Sequence, residues 1–161
     1  CNLKLKYKSE DSQMLAYADS TFNAVGNCHY GVLVILNGPV LWVSKCSNSQ
    51  QTSSNEAEMT SCSEGARLVK SITNILHELD SYTGPVTMFT DNVGVRNCLL
   101  VGETPNRLGH MENRRLYAVQ MAREGEINFE WISTKEQPAD GLTKAVPLDQ
   151  LNVLKQFCFT N

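Results

Sequence analysis

The stretch His29-Tyr-Gly-Val-Leu-Val-Ile-Leu36, Asn37-Gly38, Pro39-Val-Leu-Trp-Val-Ser-Lys-Cys46 decides the fold. Val/Leu/Ile-rich runs flank Asn-Gly, the dipeptide that tolerates the positive φ angles of a tight turn, so residues 29–36 and 40–46 are predicted to pair as a hairpin. A polar Ser/Gln/Thr loop follows, and then a helical pattern from about 54 to 80 that ends before Gly84-Pro85. A hairpin feeding a crossover helix implies a mixed sheet with helices on its faces. Residues 15–19 supply a strand before the hairpin, and residues 86–90 and 127–132 supply strands four and five. Residues 92–101 and 107–123 read as helices between those last two strands. Pro138 is expected at the first position of a short helix, where its missing N–H costs nothing. Leu148, Leu151, Leu154 and Phe157 recur at helical spacing and predict an amphipathic closing helix over 148–159, packed on the core.

Composition bounds the function. The chain has 161 residues and a formal net charge of −3. That length suits one domain over 1–161, with 1–13 as an extension or linker and 147–161 as a helical tail. Its longest apolar run, Val32–Leu36, is too short to cross a bilayer, which predicts no membrane partner and an intracellular soluble domain. The first residue is Cys1 and not Met, as expected of a processed product or a piece of something longer. Six cysteines without a Cys-x-x-Cys pair read as reduced thiols.

Four carboxylates stand at predicted strand ends or in first helical turns: Asp19, Glu58, Asp91 and Asp140. Each alone has an ordinary reading as a turn, cap or dipole residue. Gathered at the carboxyl ends of adjacent strands they would repel one another and lose hydration, unless a cation sits among them. Glu58 is separated from Glu56 by local physics. Ser53-x-x-Glu56 fits a capping box in which Glu56 reaches back to the cap residue. Steps of three and four from Glu58 pass through Cys62, Gly65, Val69, Ile72, Leu76 and Leu79, an apolar stripe that faces the sheet. The same steps from Glu56 pass through Thr60, Ser63, Arg67, Lys70 and Asn74, which predicts a solvated face.

The strings Tyr17-Ala-Asp19-Ser, Ser53-Ser-Asn-Glu-Ala-Glu58-Met, Phe89-Thr-Asp91-Asn and Lys135-Glu-Gln-Pro-Ala-Asp140-Gly-Leu-Thr-Lys144 resemble, in order and spacing, the ribonuclease H domain of copia-type (pseudoviral) LTR retrotransposon polyproteins. The resemblance covers about residues 14–147. It implies an α/β, ribonuclease H-like fold with a five-stranded mixed sheet, three antiparallel strands then two parallel, and helices on both faces. It also implies cleavage of the RNA strand of RNA–DNA hybrids during reverse transcription, with Asp19, Glu58, Asp91 and Asp140 as the catalytic, metal-holding tetrad. Two Mg²⁺ ions, replaceable by Mn²⁺, suit such hard oxygen ligands. Asp19 is expected to bridge them, with Glu58 and Asp91 on the leaving-group side and Asp140 on the nucleophile side. The implied partners are an RNA–DNA hybrid and the reverse transcriptase domain of the same polyprotein. The implied setting is a cytoplasmic virus-like particle with a later nuclear stage, and the isolated domain is expected to be a monomer. The competing reading is a non-catalytic nucleic-acid-binding or connection module that keeps the fold as a scaffold.

Candidate substrate contacts are Ser20, Asn92 and Lys144 beside the acids, and Arg107, His110, Arg114 and Arg115 on or before the predicted 107–123 helix, which also carries Arg123. Lys4, Lys6 and Lys8 alternate with Leu3, Leu5 and Tyr7 as on an edge strand. Such clusters read either as solvated surface or as phosphate contacts. Gly109-His-Met-Glu-Asn113 is similar to a loop of cellular ribonucleases H that carries an assisting histidine. Here the string precedes the last strand, so His110 is not read as its equivalent. His29 and His77 are expected to be structural.

Overall fold

The computed structural model describes residues 4–5, 7, 13–23, 27–48, 50–101 and 112–160. Its central sheet is built from β2 (Leu15–Phe22), β3 (Cys28–Ile35), β4 (Pro39–Cys46), β5 (Val86–Thr90) and β6 (Ile127–Trp131), in the order β4-β3-β2-β5-β6. β4, β3 and β2 are antiparallel neighbours, whereas β2–β5 and β5–β6 are parallel. The mixed five-stranded sheet follows the sequence reading. A second sheet of two short strands pairs β1 (Lys4–Leu5) with β7 (Phe159–Thr160), tying the two ends of the chain together. The 148–159 reading as helix alone is corrected at its end, where α5 (Leu148–Cys158) gives way to β7.

Alternation along β2 divides the interior in two. Ala16 and Ala18 face a large core with Val32, Val34, Met88 and Phe129, covered by α1 (Ser54–Glu78), α2 (Val93–Val101) and α3 (Glu112–Arg123). Tyr17 faces a smaller core with Leu33, Ala139 and Cys158, under α4 (Asp140–Thr143) and α5. There the Tyr17 ring stacks on Phe89 and meets the edge of Phe157, each with centroids 5.2 Å apart. Such pairs add about 0.5–1.5 kcal/mol beyond area burial, which holds the closing helix against the sheet. Among the described residues no helix is long and apolar enough to cross a membrane.

Three local expectations are corrected. In the 36–38 turn only Asn37 has a positive φ (59°), while Leu36 N–H donates to Gly38 O, and a bulge at Val34/Ile35 absorbs the extra residue. Pro138 lies before α4 rather than in it, so Asp140 is the first residue of that helix and not its third, and Ala139 at the N-cap position makes no side-chain cap. The face of α1 read as solvated is so only beyond Arg67, because Glu56, Thr60 and Ser63 are all buried. Ser53 does cap Glu56 N–H at 3.2 Å. The Glu56 carboxylate folds back onto Thr52, accepting from its N–H (2.6 Å) and hydroxyl (2.7 Å). Satisfied in this way, it tolerates burial.

Candidate active site

The site forms where the sheet changes from antiparallel to parallel pairing. β2 and β5 pair only from Leu15↔Thr87 to Tyr17↔Phe89, so Asp19 stands two residues beyond the last pair, and Asp91 follows the last residue of β5. Strands that diverge at such a switch point leave a crevice at their carboxyl ends. Asp19 shares the face of Tyr17, so it points toward α4, which brings Asp140. Oxygens of Asp19, Asp91 and Asp140 lie within 4.8 Å of one another. Ser20 points to the opposite face, toward α1, where Glu58 receives its N–H (3.0 Å) and hydroxyl (2.7 Å) on Oε1. The pleat of one strand thus joins Glu58 to the three aspartates through two consecutive residues.

One oxygen of each acid is held by a donor of the chain. The Thr143 hydroxyl donates to Asp19 Oδ2, the Thr134 hydroxyl to Asp91 Oδ2 (2.8 Å), and Lys144 Nζ to Asp140 Oδ1 (3.0 Å). The second oxygens of Glu58 and Asp140 are buried with no hydrogen-bond partner. An unpaired buried carboxylate oxygen is costly, so two at one site need an external partner. Burial, first of all, raises the Asp19 carboxyl from 3.8 to about 7, with the Thr143 bond opposing and the charge of Asp140 adding to the rise. Glu58 is raised to about 8, again chiefly by burial and then by the charge of Asp19. Burial also works against the Lys144 ammonium, but its bond to Asp140 and the charges of Asp19 and Asp91 outweigh this and raise its pKa.

No family model matches the chain. In sequence it is 25% identical, over 119 residues, to the retrovirus-related Pol polyprotein from transposon TNT 1-94 of Nicotiana tabacum. That stretch is 74% of this chain and 9% of the polyprotein. In structure it resembles the N-terminal RNase H domain of a Mycobacterium tuberculosis protein, with a TM-score of 0.64 at 16% identity over 89% of this chain and 96% of that one. LC11-RNase H1, solved in complex with an RNA/DNA hybrid, gives 0.64 at 15% identity over 81% of this chain and 93% of its own. The chain has the ribonuclease H fold. The prototype foamy virus protease-reverse transcriptase matches 90% of this chain over 21% of its own length, with a TM-score of 0.55 at 11% identity. The structural matches show the fold, and the sequence match is to one stretch of a retrovirus-related polyprotein many times longer than this chain.

Within this ribonuclease H fold the substrate candidates fare differently. Ser20 and Lys144 are engaged with Glu58 and Asp140. Asn92 is a cap residue, its Oδ1 accepting Val95 N–H (3.0 Å) and its amide donating to Asn55 (2.9 Å). Arg115 is corrected. It is 2% exposed on the inward face of α3, next to Ala118 and Val119 in helical phase, and so offers no surface charge to a phosphate. Arg107 and His110 lie outside the described residues, as do Lys6, Lys8 and the side chain of Arg114. Two contributors went unread in the sequence although both sit in the Gln137–Lys144 string. Thr143 holds Asp19, and buried Gln137 donates to Ala18 O (3.1 Å), fixing the approach of α4 to β2. Gly31 permits that approach, since a Cβ there would meet Leu142 Cβ at 2.8 Å and Thr143 Cγ2 at 2.9 Å.

Proposed function

We propose that this chain is the ribonuclease H domain of a copia-type retrotransposon polyprotein and hydrolyses the RNA strand of RNA–DNA hybrids endonucleolytically, using two divalent metal ions. The observation that carries this reading is the meeting of Asp19, Asp91 and Asp140 within 4.8 Å at the switch point of a ribonuclease H fold. The residues fit a hard cation. All donors are carboxylate oxygens, two buried ones have no partner, and burial has pushed Asp19 and Glu58 toward their protonated forms, a penalty that a bound cation offsets. Asp19, Glu58, Asp91 and Asp140 would hold the ions, Mg²⁺ or Mn²⁺. When bound, these neutralise the carboxylates, lower the pKa of a water and polarise the leaving oxygen.

The chain's own residues orient this chemistry. Thr143, Ser20, Thr134 and Lys144 each fix one carboxylate oxygen, which orients the four acids, and the three aspartates already meet within 4.8 Å of one another. Thr143 and Asp140 share one short helix, so the seating of α4 on the sheet sets both the hydrogen bond to Asp19 and the position of Asp140. A scaffold without catalysis would be more stable with these acids replaced, which favours the enzymatic reading over the binding-module one. The hybrid and the upstream reverse transcriptase are the proposed partners, within a virus-like particle. The test is cleavage of end-labelled RNA–DNA hybrid with Mg²⁺, beside single-stranded RNA, duplex DNA and an EDTA control. Cutting confined to the RNA of the hybrid and stopped by EDTA is expected; equal cutting of single-stranded RNA would refute hybrid specificity.

A further inference from the structure

We infer that Cys46 is a thiol modification site, activated by His29, which forms mixed disulfides with small disulfides such as glutathione disulfide. Register carries the geometry. His29 and Cys46 are direct partners across β3 and β4, on the same face as Ser44, and Cys46 Sγ lies 3.3 Å from His29 Nδ1. His29 Nε2 lies 2.9 Å from Ser44 Oγ, and the single Ser44 hydroxyl proton is donated to Leu142 O at 2.7 Å. Ser44 can therefore only accept from His29, which puts the ring proton of neutral His29 on Nε2 and leaves Nδ1 bare toward the thiol. A nucleophile, a base within hydrogen-bond reach and a third group that fixes the base's tautomer are the parts of an activated thiol.

Exposure singles out this cysteine. Of the described cysteines, Cys28, Cys62 and Cys158 are buried, and burial raises their thiols, Cys28 to about 11. Cys98 is half-buried, whereas Cys46 is exposed, on an edge strand of the central sheet. Its row, Thr21↔His29↔Cys46, is the next along the same sheet face from Asp19↔Gly31↔Ser44. An adduct there stands at the end of the sheet where the acids gather. In the reaction His29 takes the thiol proton, Cys46 Sγ bonds to one sulfur of glutathione disulfide, and the reagent's S–S bond breaks. The departing glutathione thiolate then takes up the proton held by His29, so the exchange balances with the disulfide as the oxidant.

The experiment is the rate of mixed-disulfide formation at each cysteine of the reduced chain, followed with glutathione disulfide by mass spectrometry of peptides. Expected is modification of Cys46 first among the described cysteines, about tenfold or more faster in the folded chain than in the same chain in denaturant. His29→Gln should bring the folded rate down to near the denatured one. A folded-chain rate at or below the denatured rate would overturn the inference, and this needs no variant, so it stands if His29→Gln does not fold. An unchanged rate in folded His29→Gln would overturn the role of His29.

Discussion

Asp19→Asn should stabilise the metal-free domain while abolishing its chemistry. Asn has nearly the same shape, and its Oδ1 can keep the Thr143 hydrogen bond, so the substitution removes mainly a charge. The folded-state pKa of Asp19 is raised from 3.8 to about 7, so at pH 8 the fold carries an ionised group that it disfavours relative to the unfolded chain. About three pKa units at 1.36 kcal/mol each set a ceiling of about 4 kcal/mol, undiscounted for solvent because Asp19 is 2% exposed. Half of that, about 2 kcal/mol, corresponds to a rise of roughly 4–8 °C in Tm for a domain of this size. The sign fixes the pH dependence. Between pH 4 and pH 7 the folded protein binds more protons than the unfolded chain, so the wild type loses stability as pH rises through that window, and below pH 4 the difference vanishes. Thermal melts in EDTA at pH 4 and pH 8 should therefore show the variant equal to wild type at the first and more stable at the second. Added Mg²⁺ should raise the Tm of wild type at pH 8 far more than that of the variant. A variant no more stable than wild type at pH 8 in EDTA would refute the electrostatic cost assigned to Asp19.

Further outcomes follow from the same geometry. Glu58→Gln should reduce hybrid cleavage by orders of magnitude while Glu56→Gln retains it, although the latter, burying an amide against Thr52, should cost about 1–2 kcal/mol in a denaturant melt. Gly31→Ala should force α4 off the sheet, lowering stability by about 1–3 kcal/mol and cleavage with it, since Asp140 and Thr143 move together; an unchanged rate would show that α4 can shift without consequence. With a net charge of −3, the isolated domain should lose hybrid cleavage steeply between about 50 and 200 mM salt, and fusion to the polymerase should restore it, whereas equal activity of both forms at every salt concentration would contradict polymerase-dependent binding.

The sheet was legible because its signals were local. Asn37-Gly38 between apolar runs, the Ser53 cap and Gly84-Pro85 each mark a boundary within a few residues. The meeting of Asp19, Asp91 and Asp140 was legible from strand ends and the short helix, and the burial of Glu58 from helix phase. What stayed hidden depends on contacts distant in sequence. The β1–β7 pairing joins residues at opposite ends of the chain, the burial of Arg115 depends on how α3 seats, and the Glu56 carboxylate is buried on Thr52 although Ser54 and Asn55 beside it are exposed. Thr143 had a visible signal, its place three residues after Asp140, but its job of holding Asp19 across 124 positions needed the packed structure.

The most direct test compares wild type and Asp140→Asn, matched for fold by circular dichroism, in Mg²⁺-dependent cleavage of one labelled RNA–DNA hybrid. Loss of a ligand that helps hold the ions should cost several kcal/mol of transition-state stabilisation, about a thousandfold in rate. A wild type that cuts the RNA strand and a variant at least that much slower is the predicted result; equal rates, or a wild type that leaves the hybrid intact, would contradict the assignment.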